Sequence, residues 1–117
     1  MKTNVKPRFV WEDPFMLQDQ LSDDERAIQE AAHQFCQDKL QTRVLMAARH
    51  EKFDREIMNE AGAMGFLGSS IEGYGCAGLS YVAYGLIARE VERVDSGCQL
   101  FWGRGGVGRG YCCTVRR

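Results

Sequence analysis

Several things are missing from this sequence, and each absence narrows its reading. No apolar run approaches the roughly 18 residues that a membrane span requires, so no spanning helix is expected. The opening stretch MKTNVKPRFVWEDP lacks the apolar segment of a secretory signal. It is also too poor in Arg and Ser, and too soon acidic, for a transit peptide. The expected compartment is therefore the cytoplasm of a bacterium, or the mitochondrial matrix if the source is eukaryotic. The five cysteines, at 36, 76, 98, 112 and 113, are odd in number, irregular in spacing and form no C-x-x-C. That pattern makes a poor disulfide framework and reads as free thiols. The two histidines, His33 and His50, have no partners at metal-ligand spacing, so no metal site is expected. No alternating stretch long enough for a useful strand precedes residue 98, and the last twenty residues contain no acid at all.

What remains suits one small domain. The chain has 117 residues, with 44% hydrophobic and 26% charged, which is enough apolar material for a packed core under an ordinary charged surface. The net charge of −1 conceals an asymmetry. The segment 98–117 holds four arginines (104, 109, 116 and 117), leaving eleven basic against sixteen acidic residues in 1–97. A boundary is thus expected after Gly97, with a domain over 1–97 and a glycine-rich tail over 98–117.

Within 1–97 the pattern is helical. Asp13-Pro14 reads as a cap followed by proline at the first helical position, so a short helix is expected over PFMLQDQL. Ser22 and Glu25 form a capping box, and three acids occupy the first turn. From there Ile28, Ala31, Ala32, Phe35 and Leu40 keep one apolar stripe, predicting a helix over about 23–41. TRVLMAARHEKF (42–53) reads as a looser connection. Asp54 caps a further helix whose buried face is Ile57, Met58, Ala61 and Met64, with Gly65 as its stop. A loop punctuated by Gly68, Gly73, Gly75 and Gly78 leads to Ser80. That residue caps a helix carrying Ala83, Leu86, Ile87, Glu90, Val91 and Val94 at helical spacing and closing at Asp95-Ser96-Gly97. Met16, Met46, Met58 and Met64 are expected as core filling. The fold class expected is all-α, a small helical bundle.

At this level the sequence resembles the N-terminal helical domain of acyl-CoA dehydrogenases, and within them the glutaryl-CoA dehydrogenases. The residues carrying the resemblance are FVWEDPFMLQDQLSDDER (9–26), Gly65-Phe66-Leu67-Gly68, the GYGCAG loop (73–78) and YVAYGLIAREVERVDSG (81–97), which includes Ile87-Ala88-Arg89-Glu90. The resemblance covers 1–97. It implies a longer FAD-dependent enzyme in which this domain forms one side of the acyl-CoA cleft. FAD would lie between a middle β domain and a C-terminal helical domain, where a glutamate base also resides. The implied reaction removes the α-proton, passes hydride from the β-carbon to the flavin and decarboxylates the product to crotonyl-CoA. Electrons would leave through electron-transfer flavoprotein, and the intact enzyme would be a homo-oligomer. No catalytic, cofactor-binding, substrate-binding or metal-binding residue carries over onto this chain, so it should be inactive alone.

The tail departs from that family. Where glutaryl-type enzymes continue Tyr-Arg-Ser, this sequence has Cys98-Gln99-Leu100. The arginine that would pair with the glutaryl carboxylate is replaced by Gln99, which brings no charge. A frameshift, an altered transcript end or a gene-model error would produce such a junction. Gly103, Gly105 and Gly108 satisfy G-x-G-x-x-G, but no strand precedes them, no room for a helix follows and no acid lies downstream, so no nucleotide site is expected. RGGVGRG carries too little charge for nucleic acid against an acidic body.

Three further features invite functional readings. Glu90 sits on an apolar helix face, and is expected as a carboxylate paired with Arg89, Arg93 or a loop group rather than as an acid or base. Tyr74 and Cys76 could wall an acyl-CoA cleft, but a tight loop packing on the bundle accounts for them. Cys112 and Cys113 read as incidental thiols. The alternative function is a small helical interaction protein that associates with a full-length dehydrogenase through the side left bare.

Overall fold

The computed structural model describes residues 8–73 and 78–97. Among them every regular element is helical: α1 (Leu17–Gln20), α2 (Asp23–Phe35), a π-turn (Cys36–Leu40), α3 (Gln41–Arg49), α4 (Arg55–Ala63) and α5 (Tyr81–Glu92). The all-α expectation holds.

Local chemistry sets most of the ends. The Ser22 hydroxyl accepts from the Glu25 amide at 3.3 Å, and the Glu25 carboxylate accepts from the Ser22 amide at 3.1 Å, closing the capping box. Asp54 accepts from the Glu56 amide, and the Ser80 hydroxyl from the Ala83 amide, so both expected caps are present. α4 stops in a Schellman turn. There the Gly65 amide donates to the Gly62 carbonyl, and the Phe66 amide to that of Ala61, with Gly65 at φ +80°. That backbone conformation favours glycine, and it aims Phe66 back at the core.

The structure corrects three expectations. The first helix starts at Leu17, not at Pro14. Asp13 still accepts from the amides of Leu17 and Gln18 (2.8 and 2.9 Å), but it reaches them across a turn with Met16 in the left-handed region. The Gln18 and Leu17 hydrogen bonds hold its carboxyl below the usual range.

The second correction is that 42–49 is helix, not a looser connection: α2, the π-turn and α3 form one continuous rod from Asp23 to Arg49. The π-turn adds a residue to one turn, and Cys36 and Leu40 on it are both buried. Thr42 Oγ1 donates back to the carbonyls of Asp38 and Lys39 at 3.2 and 3.1 Å, the local bond that threonine makes inside a helix.

The third concerns the methionines. Met58 is 1% exposed, but Met46 and Met64 are 52% exposed and Met16 is 39%. The core is Ala32, Phe35, Cys36 and Leu40 from the rod, Ile57, Met58 and Ala61 from α4, Phe66 and Leu67 after it, and Ile87 and Val91 from α5. Phe35 and Phe66 meet edge to face, 5.5 Å between ring centres.

Candidate functional site

Two polar links show how the long helices lie. Ser80 donates to Glu25 at 3.3 Å, and His33 Nδ1 lies 2.9 Å from Glu90 Oε2. The two links differ in sequence separation by only two residues (55 and 57), so α2 and α5 run side by side in the same direction. The return is made after the rod ends at Arg49, by way of α4.

Glu90 is the only charged residue buried among those described, at 2% exposure. It sits on the helical period of α5 between Ile87 and Val91, so the packing that buries them also buries its carboxylate. Two cationic-type side chains satisfy it. His33 reaches in from α2, and Arg93 Nη1 donates from one turn later at 3.2 Å to Oε1 and 3.3 Å to Oε2. Burial works to raise the Glu90 pKa, but the His33 hydrogen bond and the Arg93 charge outweigh it and hold the carboxyl below its ordinary value.

Around this group lies a polar hollow of about 380 Å3, lined also by Gln18, Arg26, Gln29 and Glu30. A carboxylate with both oxygens engaged and a depressed pKa is a poor general base. Its chemistry is that of a clamp between α2 and α5. The expectation of a paired carboxylate is therefore met through Arg93, not Arg89. The His33 partner was missed, because a contact across 57 residues leaves no local signal.

The α3 end of the rod is different. α3 and α4 are joined by Arg43, whose Nη2 donates to Glu60 at 2.7 Å and whose Nη1 donates to Asp54 at 3.4 Å, with Lys39 3.7 Å from Glu60. The Glu60 hydrogen bond raises the Arg43 pKa further. Beside these ion pairs runs a groove of about 280 Å3, floored by Leu40, Val44, Ala47, Ala48, Phe53 and Ile57. Its rim carries Glu51, Asp54 and, at the far end of the described chain, Asp95, as well as Arg43 and Lys52. Cys36 is not available to either site. Burial, and then the Glu90 charge, push its thiol up to about 11, so it stays protonated and unreactive.

Tyr74, Cys76, Gln99, the tail glycines Gly103, Gly105 and Gly108, and Cys98, Cys112 and Cys113 lie outside the described residues. Among the described residues no three His, Cys, Asp or Glu side chains converge as metal ligands, and no helix is long and apolar enough to cross a membrane.

A flavin does not fit the described residues. FAD is larger than a drug-sized ligand, whose pockets run to about 300–1,000 Å3, whereas the apolar groove is about 280 Å3 and the polar hollow, at about 380 Å3, is lined by Glu90 and Glu30, which would repel a pyrophosphate. The helix N-termini that would receive its pyrophosphate are already capped by Ser22, Asp54 and Ser80, and that of α2 also carries Asp23, Asp24 and Glu25.

Comparison with known proteins bears on these features directly. The family model for the acyl-CoA dehydrogenase N-terminal domain matches residues 22–112. Among solved structures, the chain is similar to a glutaryl-CoA dehydrogenase from Mycobacterium smegmatis in complex with FADH2, with a TM-score of 0.72 and 36% identity. The similarity covers 75% of this chain but only 23% of that one, so the chain spans less than a quarter of its relative.

Proposed function

The chain belongs to the acyl-CoA dehydrogenase family, and from that premise we propose that it is the N-terminal portion of a glutaryl-CoA-type dehydrogenase. In the intact enzyme it forms one side of the acyl-CoA cleft and keeps water from the reacting centre. The observation that carries this reading is the 36% identity, over three quarters of the chain, to a glutaryl-CoA dehydrogenase holding FADH2. The whole enzyme would oxidise and decarboxylate glutaryl-CoA to crotonyl-CoA during amino-acid catabolism, with FAD as electron acceptor. It would pass electrons to electron-transfer flavoprotein and assemble as a homo-oligomer. The described residues contribute packing to that enzyme rather than the base or the flavin cradle, so the chain alone turns nothing over.

A chimera tests this. Residues 22–97 of this chain replace the matching segment of the mycobacterial enzyme, and flavin content and acyl-CoA preference are measured. The expected result is a flavin-loaded chimera that still prefers glutaryl-CoA. A chimera that loads flavin but prefers a straight-chain monocarboxylic acyl-CoA would overturn the glutaryl assignment. Stoichiometric FAD binding by the isolated chain would overturn its inactivity alone.

The alternative, a small interaction protein that pairs with a full-length dehydrogenase, draws on a separate observation. Phe9, Trp11 and Phe15 near the N-terminus are 60%, 84% and 77% exposed, with Phe9 and Trp11 meeting each other edge to face at 5.1 Å. Co-purification of the chain with the full-length enzyme would favour that reading, and its absence would remove it.

A further inference from the structure

Apart from Glu90, the first three turns of α5 are apolar on both sides of the helix. Ala83, Ile87 and Val91 face inward and are buried. Facing outward are Tyr81 at 85% exposure, Val82 at 52%, an exposed Gly85 and a half-buried Ala88, with exposed Arg89 and Glu92 following. A helix that is apolar all round is ordinarily covered all round. Gly85 sharpens the point. In mid-helix a glycine costs about 0.5–1 kcal/mol relative to alanine, yet a Cβ built there meets nothing within 4 Å. Packing within the chain therefore gives no reason for the missing side chain. A second backbone passing close over Gly85 does.

This outer face is complementary to itself. At about 100° per residue, Tyr81, Ala88 and Glu92 fall to one side of Gly85, and Val82 and Arg89 to the other. Two copies of α5 crossing antiparallel about a two-fold axis at Gly85 bring like sides together in reverse order. Tyr81 then packs on the partner's Ala88, with its hydroxyl toward the partner's Glu92. Val82 packs along the stem of the partner's Arg89. Charge agrees with this pairing. The Ser80–Glu25 bond sets the start of α5 beside the start of α2, where Asp23, Asp24 and Glu25 stand, and the antiparallel crossing brings the partner's Arg89 to that acidic end. Asp13 lies close enough to Arg89 to feel its charge, which sets Phe9, Trp11 and Phe15 near the same face. These rings extend a single helix pair toward the roughly 1,200–2,000 Å2 that a specific interface buries.

We propose that the outer face of α5 is a self-association surface, on which a second copy of this chain docks antiparallel about a two-fold axis at Gly85. The surface is a property of this chain. It depends neither on which acyl-CoA the parent enzyme takes nor on how that whole enzyme assembles.

Sedimentation equilibrium of the full chain, from about 1 μM to about 1 mM, tests it. The expected result is a reversible monomer–dimer equilibrium with no larger species. Gly85→Leu sets a bulky side chain on the axis, while helix propensity and the open space around it keep the monomer folded. It should weaken association by about tenfold or more, with the far-ultraviolet circular dichroism of the parent. If it loses helix, Gly85→Gln takes its place. Position 82 tests the register. Val82→Glu meets the partner's Arg89 and should keep or tighten the dimer, a gain that added salt removes. Val82→Arg meets the same group as a like charge and should leave a monomer. A parent chain that stays monomeric throughout would overturn the proposal, leaving the face to a different chain. So would open-ended growth with concentration, or a folded variant at position 85 that dimerises like the parent. Tighter association by Val82→Arg than by Val82→Glu would overturn the antiparallel register and the proposal with it.

Discussion

The two ends of the Asp23–Arg49 rod, α2 against α5 and α3 beside α4, are built differently. On the α2–α5 face, Ala32, Cys36, Ile87 and Val91 are each no more than 1% exposed, and a buried carboxylate is satisfied from both helices. On the α3–α4 face, Val44 and Ala47 are only half-buried, α3 contributes no buried residue, and Leu45 and Met46 stand more than half exposed. The first closes a tight seam, sharing one core with Ile57, Met58 and Ala61 of α4. The second holds together through half-exposed ion pairs and leaves an apolar floor. A domain that occupies 23% of a longer relative would show such a division, one side finishing its own core and the other receiving further chain.

Mutations on the two faces should therefore differ in size. The largest effect is expected at Ile87, 1% exposed in the α2–α5 seam. Ile87→Ala should cost about 2–5 kcal/mol by loss of burial and creation of a cavity, measured by urea denaturation. Equal effects at Ile87 and Val44 would erase the distinction between the faces.

Glu90 comes next. Glu90→Ala should cost about 1–3 kcal/mol, because His33 and Arg93 lose their acceptor but are each about half exposed and recover water. The pH dependence follows from the direction of its shift. Its folded pKa lies below the ordinary 4.5, so the clamp contributes in full above that value and is lost as the pH falls through the folded one. The stability gap between the parent protein and Glu90→Gln should therefore close on acidification into that range. A gap that widened on acidification would contradict the assignment.

Gly65→Ala should cost about 1–2 kcal/mol, since φ +80° is strained for any side chain and open space around the new methyl offers no compensation. Arg43→Ala on the open face should cost about 0.2–1 kcal/mol, the usual size for ion pairs between partly exposed groups. Thermal or urea unfolding ranks both, and added salt should shrink only the second.

Legibility in the sequence follows the range of the interactions. The Ser22–Glu25 box, the Asp54 and Ser80 caps and the Gly65 stop are chemistries of neighbouring residues, and all are where the sequence places them. The extension through α3 was also written locally, since Leu40, Val44 and Ala47 continue the helical period. It was obscured because β-branched Thr42 and Val44 lower intrinsic propensity, which packing on the rod overrides. The Asp13 turn was misread because one carboxylate can cap amides at several offsets, and only the left-handed Met16 sets which. The exposed methionines follow from a spacing that marks a helical face without saying what lies opposite it. The site was least legible: Glu90 could be singled out as a buried carboxylate, but His33 joins it only once α2 and α5 lie in parallel.

Native-state hydrogen exchange on the full chain, read helix by helix, tests the division between the faces most directly. The account expects the slowest amides in α2 and α5, exchanging with a free energy close to that of global unfolding, and markedly faster exchange in α3. Equal protection across the three helices, or slowest exchange in α3, would contradict it.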